Sequence, residues 1–171
     1  MTTSLLAEPA TADDPRGTTT RAVLRTWLRM LACTTIIEGR VRSALREQFD
    51  TTLPRFDLLA QLHSASDEAP GGITMSELSR RLMVTNGNLT GLVDRLVREG
   101  FVARVVSPPD RRAQLISLTT AGRRALASMT PAHAEWIGDM FHGLNNSERR
   151  QLYTLLGKLK RSAQATTERA L

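Results

Sequence analysis

TMSELSRRLMVTNGNLTGLVDRLVREGFVARVV (residues 74–106) runs directly into SPPDRRAQLISLT (107–119), and the spacing of apolar residues in this stretch decides the fold. Thr74 followed by Glu77 has the form of a capping box, in which the hydroxyl accepts from an early helical N–H and the carboxylate reaches back. Leu78 and Leu82 supply the inner face of that first short helix, and Met83-Val84 makes a turn. Thr85 is placed to N-cap a second helix from Asn86 to about Glu99, whose Leu89, Leu92, Val93 and Leu96 follow an i, i+3, i+4, i+7 pattern. Gly100 ends it as a residue able to turn left-handed. Residues 101–106 and 114–118 then predict two strands, rich in β-formers. Their connector carries turn residues and two adjacent arginines, so the strands make a hairpin. Two short helices followed by such a hairpin form a helix-turn-helix with a wing, a device for placing one helix in the major groove of DNA and a loop beside it.

The outward face of the second helix has the chemistry for that role. Opposite its leucines lie Asn86, Gly87, Thr90, Gly91 and Asp94, with Asn88 and Arg95 at the edges. Asparagine bonds adenine edges, and threonine contacts a base or a thymine methyl. A glycine inside a helix costs about 1 kcal/mol relative to alanine, so two in one short helix ask for a reason, and close approach to a groove wall is one. Arg111 and Arg112 stand at the hairpin tip, where a guanidinium enters the minor groove or holds phosphate. Asp110 is placed to orient one of them. Ser76, Arg80 and Arg81 on the first short helix are within reach of the DNA backbone, although the two arginines serve equally well as surface solvation. The expected DNA contacts are therefore Ser76, Thr85, Asn86, Gly87, Asn88, Thr90, Gly91, Arg95, Asp110, Arg111 and Arg112.

Residues 1–18, rich in Thr, Ala, Pro, Asp and Gly with no apolar period, are expected to form a disordered arm. Residues 19–52 are mainly one helix, ending at Asp50-Thr51-Thr52. Its Val23, Leu24, Trp27, Leu28, Leu31, Ile36, Val41 and Leu45 make an apolar surface too wide for one stripe, so one side is expected to face a partner. Residues 53–119 are the DNA-binding part, opened by a short buried helix with Pro54 in its first turn. Residues 120–166 supply two further helices, the first interrupted at Pro131 and the second capped by Asn145 with Glu148 and turning Leu152, Leu155, Leu156 and Leu159 inward. The fold class is mainly α (α+β): a winged helix-turn-helix between terminal helices.

Composition narrows the function. The net charge is +6 and nearly all the positive charge is arginine, the only lysines being Lys158 and Lys160. A basic surface favours a polyanionic partner. No apolar run approaches the roughly 18 residues of a membrane span, the N-terminus does not read as a signal peptide, and the lone Cys33 rules out an internal disulfide. A cytoplasmic location is expected. No nucleophile elbow, P-loop, HExxH or Gly-rich dinucleotide loop is present, so the chain is not expected to be an enzyme, and no cofactor is expected.

LSRRLMVTNGNLTGLVDRLVREGFV (78–102) together with DRRAQLISLTTAG (110–122) resembles the winged helix of the MarR family of bacterial transcription regulators, and the flanking helices extend the resemblance to about residues 20–165. It maps the family's wing pair onto Asp110 and Arg112, and its recognition contacts onto Asn86, Asn88 and Thr90. It implies a homodimer in which terminal helices interlock and two winged helices read a pseudo-palindrome in double-stranded DNA, about 34 Å apart. It also implies a small organic effector lodged between those helices and the winged helix, with Trp27, Leu31, Phe56, Leu59 and His63 on the helices that line the family's pocket. TTLPRFDLLAQL (51–62) and the arginines at 40, 42 and 46 are similar to members controlling breakdown of aromatic acids such as hydroxycinnamates. Some of those respond to the CoA thioester, whose phosphates Arg40 and Arg42 are placed to hold. The expected function is thus a ligand-released repressor. The alternative is redox sensing through Cys33, but that residue lies further along the first helix than the family's reactive position, within an apolar stripe that favours inert core. His63, His133 and His142 are too scattered for a zinc site.

Overall fold

The computed structural model describes residues 15–106 and 114–169, with the side chains of 15–19, 86 and 166–169 outside the described set. Helix α1 spans Pro15–Phe49. Proline fits a first helical turn because its missing N–H has no partner there, so residues 15–18 of the arm expected over 1–18 are helical instead, and 1–14 lie outside the described residues. Asp50, at φ 46°, closes α1, and Thr51 N–H bonds the Leu45 carbonyl. Helix α2 (Leu53–Ala65) starts from Thr52 with Pro54 in its first turn.

The winged helix follows as strand β1 (Ile73–Thr74), helices α3 (Met75–Leu82) and α4 (Asn86–Arg98), and strands β2 (Val102–Val106) and β3 (Gln114–Leu118). Both predicted strands are found, and Gly100 closes α4 with φ 79°. β1 was not anticipated. It pairs antiparallel with β3, Ile73 opposite Ile116, giving a three-stranded sheet in the order β1-β3-β2. Two residues are too short for a period, and Gly72 explains why they reach the sheet. At φ 103° a side chain is disfavoured, and a Cβ there would meet the Ile116 carbonyl at 2.5 Å.

The chain divides into two compact units at Arg40. In the second, Leu45, Leu58, Leu78, Leu89, Val93, Leu96, Val102 and Ile116 are fully buried. They come from α1, α2, α3, α4, β2 and β3, whose inner faces meet in one core; each such side chain contributes roughly 1.5–3 kcal/mol by leaving water.

Helix α5 (Thr120–Met140) is N-capped by Thr119, whose Oγ1 accepts from Gly122 N–H at 3.0 Å and donates to the Gly100 carbonyl at 2.7 Å. Of the kink or restart expected at Pro131, the restart does not occur: α5 runs through it. Ala127 and Pro131 are both exposed, so the carbonyl that loses its helical partner faces water. Helix α6 (Asn146–Arg169) carries the full predicted capping box, with Asn145 Oδ1 accepting from Ser147 and Glu148 N–H and Glu148 Oε2 accepting from Asn145 N–H at 2.8 Å.

One inward face is corrected. Leu155, Leu156 and Leu159 of α6 are exposed, Leu152 being half-buried. In the first unit Val23, Leu24, Trp27, Leu28, Leu31 and Ile36 are exposed as well. Cys33 is likewise exposed rather than core. Apolar periodicity marks a face that leaves water but cannot say whether its own chain or another covers it.

Candidate nucleic-acid interface

The interface is built on α3, the turn after it, and α4. Thr74 Oγ1 caps α3 by accepting from Glu77 N–H at 3.2 Å. The other half of the expected capping box is absent, because the Glu77 carboxylate turns to Arg80 and Arg81. These two guanidinium groups hold its carboxyl down at about 2. Arg81 also bridges to Glu68 at 2.7 Å, tying the loop after α2 to α3. Both arginines are thus committed to carboxylates, although Arg80 remains largely exposed.

Met83 forms the turn in the left-handed region (φ 55°, ψ 37°), a conformation costing a residue with a Cβ roughly 1–2 kcal/mol. It is held by Met83 N–H to Arg80 O, Val84 N–H to Ser79 O, and the Ser79 hydroxyl to Val84 O. Thr85 occupies the N-cap position of α4 without a side-chain capping bond.

Helix α4 buries Leu89, Val93 and Leu96 and half-buries Leu92. Opposite them Gly87, Asn88, Thr90, Gly91 and Arg95 are exposed, as are Thr85 and Ser76. A Cβ at Gly87 or Gly91 would meet nothing within 4 Å, so nothing among the described residues demands these glycines. The side chain of Asn86 lies outside the described residues, and so do Asp110, Arg111 and Arg112, in the segment 107–113 that joins β2 to β3.

Three features escaped the sequence reading. Asp94, read as part of the outward face, pairs with Arg104 of β2 at 2.7 Å, so it ties α4 to the wing. Arg55 of α2 forms a two-pronged ion pair with Glu99 at the C-cap of α4. Both ends of such long-range pairs read as ordinary surface charge in a sequence. The third is a half-open cleft of about 650 Å³ between α2, α3 and α4, lined by Thr52, Pro54, Asp57, Leu82, Val84, Asn88, Leu89, Gly91, Leu92 and Arg95. Asn88, Gly91 and Arg95 share one flank of α4 and border this cleft.

None of the residues expected to bind an effector lines that cleft. Trp27, Leu31, Arg40 and Arg42 are exposed on α1, and His63 is exposed near the end of α2. Leu59 is core. Phe56 is buried with its ring against His133 of α5, centroids 4.5 Å apart, and Trp136 packs within 6.5 Å of the same imidazole and 6.2 Å of Phe49. Burial pushes the His133 imidazole down.

Comparison with known proteins places this geometry. The family model described as MarR family matches residues 49–113. The chain is 31% identical over 123 residues to the HTH-type transcriptional regulator YkoM of Bacillus subtilis, covering 72% of this chain and 75% of that one. The chain belongs to the MarR family. A second B. subtilis relative, the HTH-type transcriptional repressor YetL, is 33% identical over 105 residues, 61% of each chain. Among solved structures, a cysteine-to-serine variant of MarR from E. coli complexed with operator DNA superposes with a TM-score of 0.70 at 26% identity, over 81% of this chain and 95% of that one. This MarR-family chain is a DNA-binding transcription regulator with a winged helix, and its relatives are regulators rather than enzymes. No helix among the described residues is long and apolar enough to cross a membrane.

Proposed function

We propose that the protein is a homodimeric repressor that holds a pseudo-palindromic operator and is released from it by a small organic effector, an aromatic acid or its CoA thioester. The observation that carries the dimer is the pair of uncovered apolar faces, on α1 from Val23 to Ile36 and on α6 from Leu155 to Leu159. Exposed leucines at helical spacing are costly in a monomer. A second copy of the chain supplies what covers them, because a two-fold interface uses the same patch on both subunits.

The DNA contacts are the exposed residues Ser76, Thr85, Gly87, Asn88, Thr90, Gly91 and Arg95, together with Asn86 and the wing residues Asp110, Arg111 and Arg112. The dimer helices set the separation of two recognition helices. An effector that binds one separation better than another therefore shifts DNA affinity by that difference alone. Trp27, Leu31, Arg40, Arg42, Phe56, Leu59 and His63 are the proposed effector residues.

The test is a fluorescence-anisotropy titration of the full chain on promoter DNA from its own genomic neighbourhood, at several salt concentrations. A steep fall in affinity with salt is expected, Arg112→Ala is expected to cost about 1–3 kcal/mol, and addition of aromatic acids or their CoA thioesters is expected to release the DNA. Binding that ignores salt and Arg112 sinks the wing-and-phosphate mechanism. DNA release by none of these compounds sinks the effector class.

A second reading is favoured by the exposure of Cys33. An accessible thiol is open to peroxide in a way a core thiol is not. If peroxide releases the DNA and Cys33→Ser abolishes that response, the signal is oxidation.

A further inference from the structure

Met83 is the most conspicuous residue of the turn that leads into the recognition helix. Its side chain is 79% exposed. Its backbone is left-handed, a conformation that glycine or asparagine adopts with less strain. Methionine therefore serves the turn poorly and gains nothing by burial. Its backbone is nonetheless fixed on both sides, by the bonds from Met83 and Val84 N–H into the last turn of α3 and by the Ser79 hydroxyl. The fold holds a flexible apolar side chain outward on a rigid base, directly before Thr85 and the exposed polar face of α4.

In a helix-turn-helix the N-terminal end of the recognition helix meets the base edges, so the turn preceding it enters the mouth of the same groove. The exposed side chains of Thr85 and Asn88, which follow it in the chain, offer hydrogen bonds. The C5-methyl of thymine is the apolar group that a base pair shows in the major groove, and a thioether adapts its shape readily to such a contact.

We propose that Met83 is a specificity-determining residue that reads the methyl group of one thymine in each operator half-site. The assignment rests on α4 being the DNA-reading helix. Its test begins by selecting duplexes from a randomised library with the full chain. Thymines of the winning duplex are then replaced one at a time by deoxyuridine, which removes only the methyl. One thymine in each half-site is expected to weaken wild-type binding about fourfold when so replaced, the worth of burying one methyl. Met83→Gly, which suits the left-handed backbone, is expected to keep the thermal midpoint and to bind the thymine and deoxyuridine duplexes equally. If Met83→Gly distinguishes the two duplexes as the wild type does, or if no thymine matters, the assignment is wrong while the DNA-reading helix stands. If no duplex is enriched, the DNA reading falls and the assignment with it.

Discussion

Asp94 on the recognition helix and Arg104 on the first wing strand are joined carboxylate to guanidinium at 2.7 Å, across a sequence separation that no local pattern connects. The pair links the two elements that would touch DNA. Both side chains are substantially solvated, so the contact itself contributes roughly 0–1 kcal/mol to folding. Its value to binding is larger, because an unfixed wing must be ordered on the DNA. Arg104→Gln is therefore expected to leave the urea midpoint almost unchanged while weakening DNA binding about fivefold or more, roughly 1 kcal/mol for ordering freed side chains. Exchanging the charges, Asp94→Arg with Arg104→Asp, is expected to recover part of the loss. Equal losses of stability and affinity in Arg104→Gln would falsify the positioning role.

Gly122 gives a sharper test of packing. A Cβ at this position would lie 2.0 Å from the Phe101 carbonyl oxygen. The obstacle is backbone, and its neighbourhood is pinned by the Thr119 cap and the Thr119 N–H bond to Phe101 O. Gly122→Ala is expected to cost about 1–3 kcal/mol or more as strain, read as a lowered urea midpoint. A loss below about 0.5 kcal/mol, the range of an ordinary surface change, would mean that α5 docks on the hairpin less tightly than the geometry states.

These two sites show what a sequence conveys and what it hides. The leucines of α4 announced their helix because burial imposes the 3.6-residue period, and Val102–Val106 and Gln114–Leu118 announced strands through β-branched content. Gly122 was visible only as part of a signature, since its reason is the Phe101 carbonyl, distant along the chain. Asp94, Arg104, Arg55 and Glu99 looked like solvated charge because ion pairing across elements leaves no periodic trace. Met83 passed as a turn residue, since its left-handed backbone is a conformation the sequence gives no reason to expect of methionine. The leucines of α6 were read as inward because their period is the same whether the covering surface belongs to this chain or to another.

His133 predicts a pH response. Its imidazole is stacked on Phe56 and flanked by Trp136, and burial lowers its pKa below 6.5. The unfolded chain therefore takes up the proton first. Stability is full above pH 6.5 and falls as the pH drops through 6.5 towards the lowered folded value. Glu77 is also depressed, from 4.5 to about 2, but its contribution is lost only below pH 4.5. Urea midpoints at pH 7.5 and 5 thus isolate the histidine. His133→Gln is expected to flatten the difference between them, and an undiminished slope in that variant would show that another group carries it.

The exposed leucines of α6 supply the last test. Leu156 and Leu159 are 44% and 48% exposed in the single chain, so replacing both by lysine removes little from the core of their own subunit. Each is expected to cost less than about 0.5 kcal/mol of monomer folding, as a surface change does. In a dimer the same pair places unpaired charge in an apolar seam from both subunits at once, since a two-fold interface repeats every residue. Sedimentation velocity at micromolar concentration is therefore expected to show the wild type as a dimer and the double variant shifted to monomer. DNA affinity should fall together with dimerisation, because a single winged helix keeps only its own half-site contacts. A double variant that remains dimeric would show that α6 presents these leucines to something other than its own copy, and would leave α1 as the sole basis of assembly.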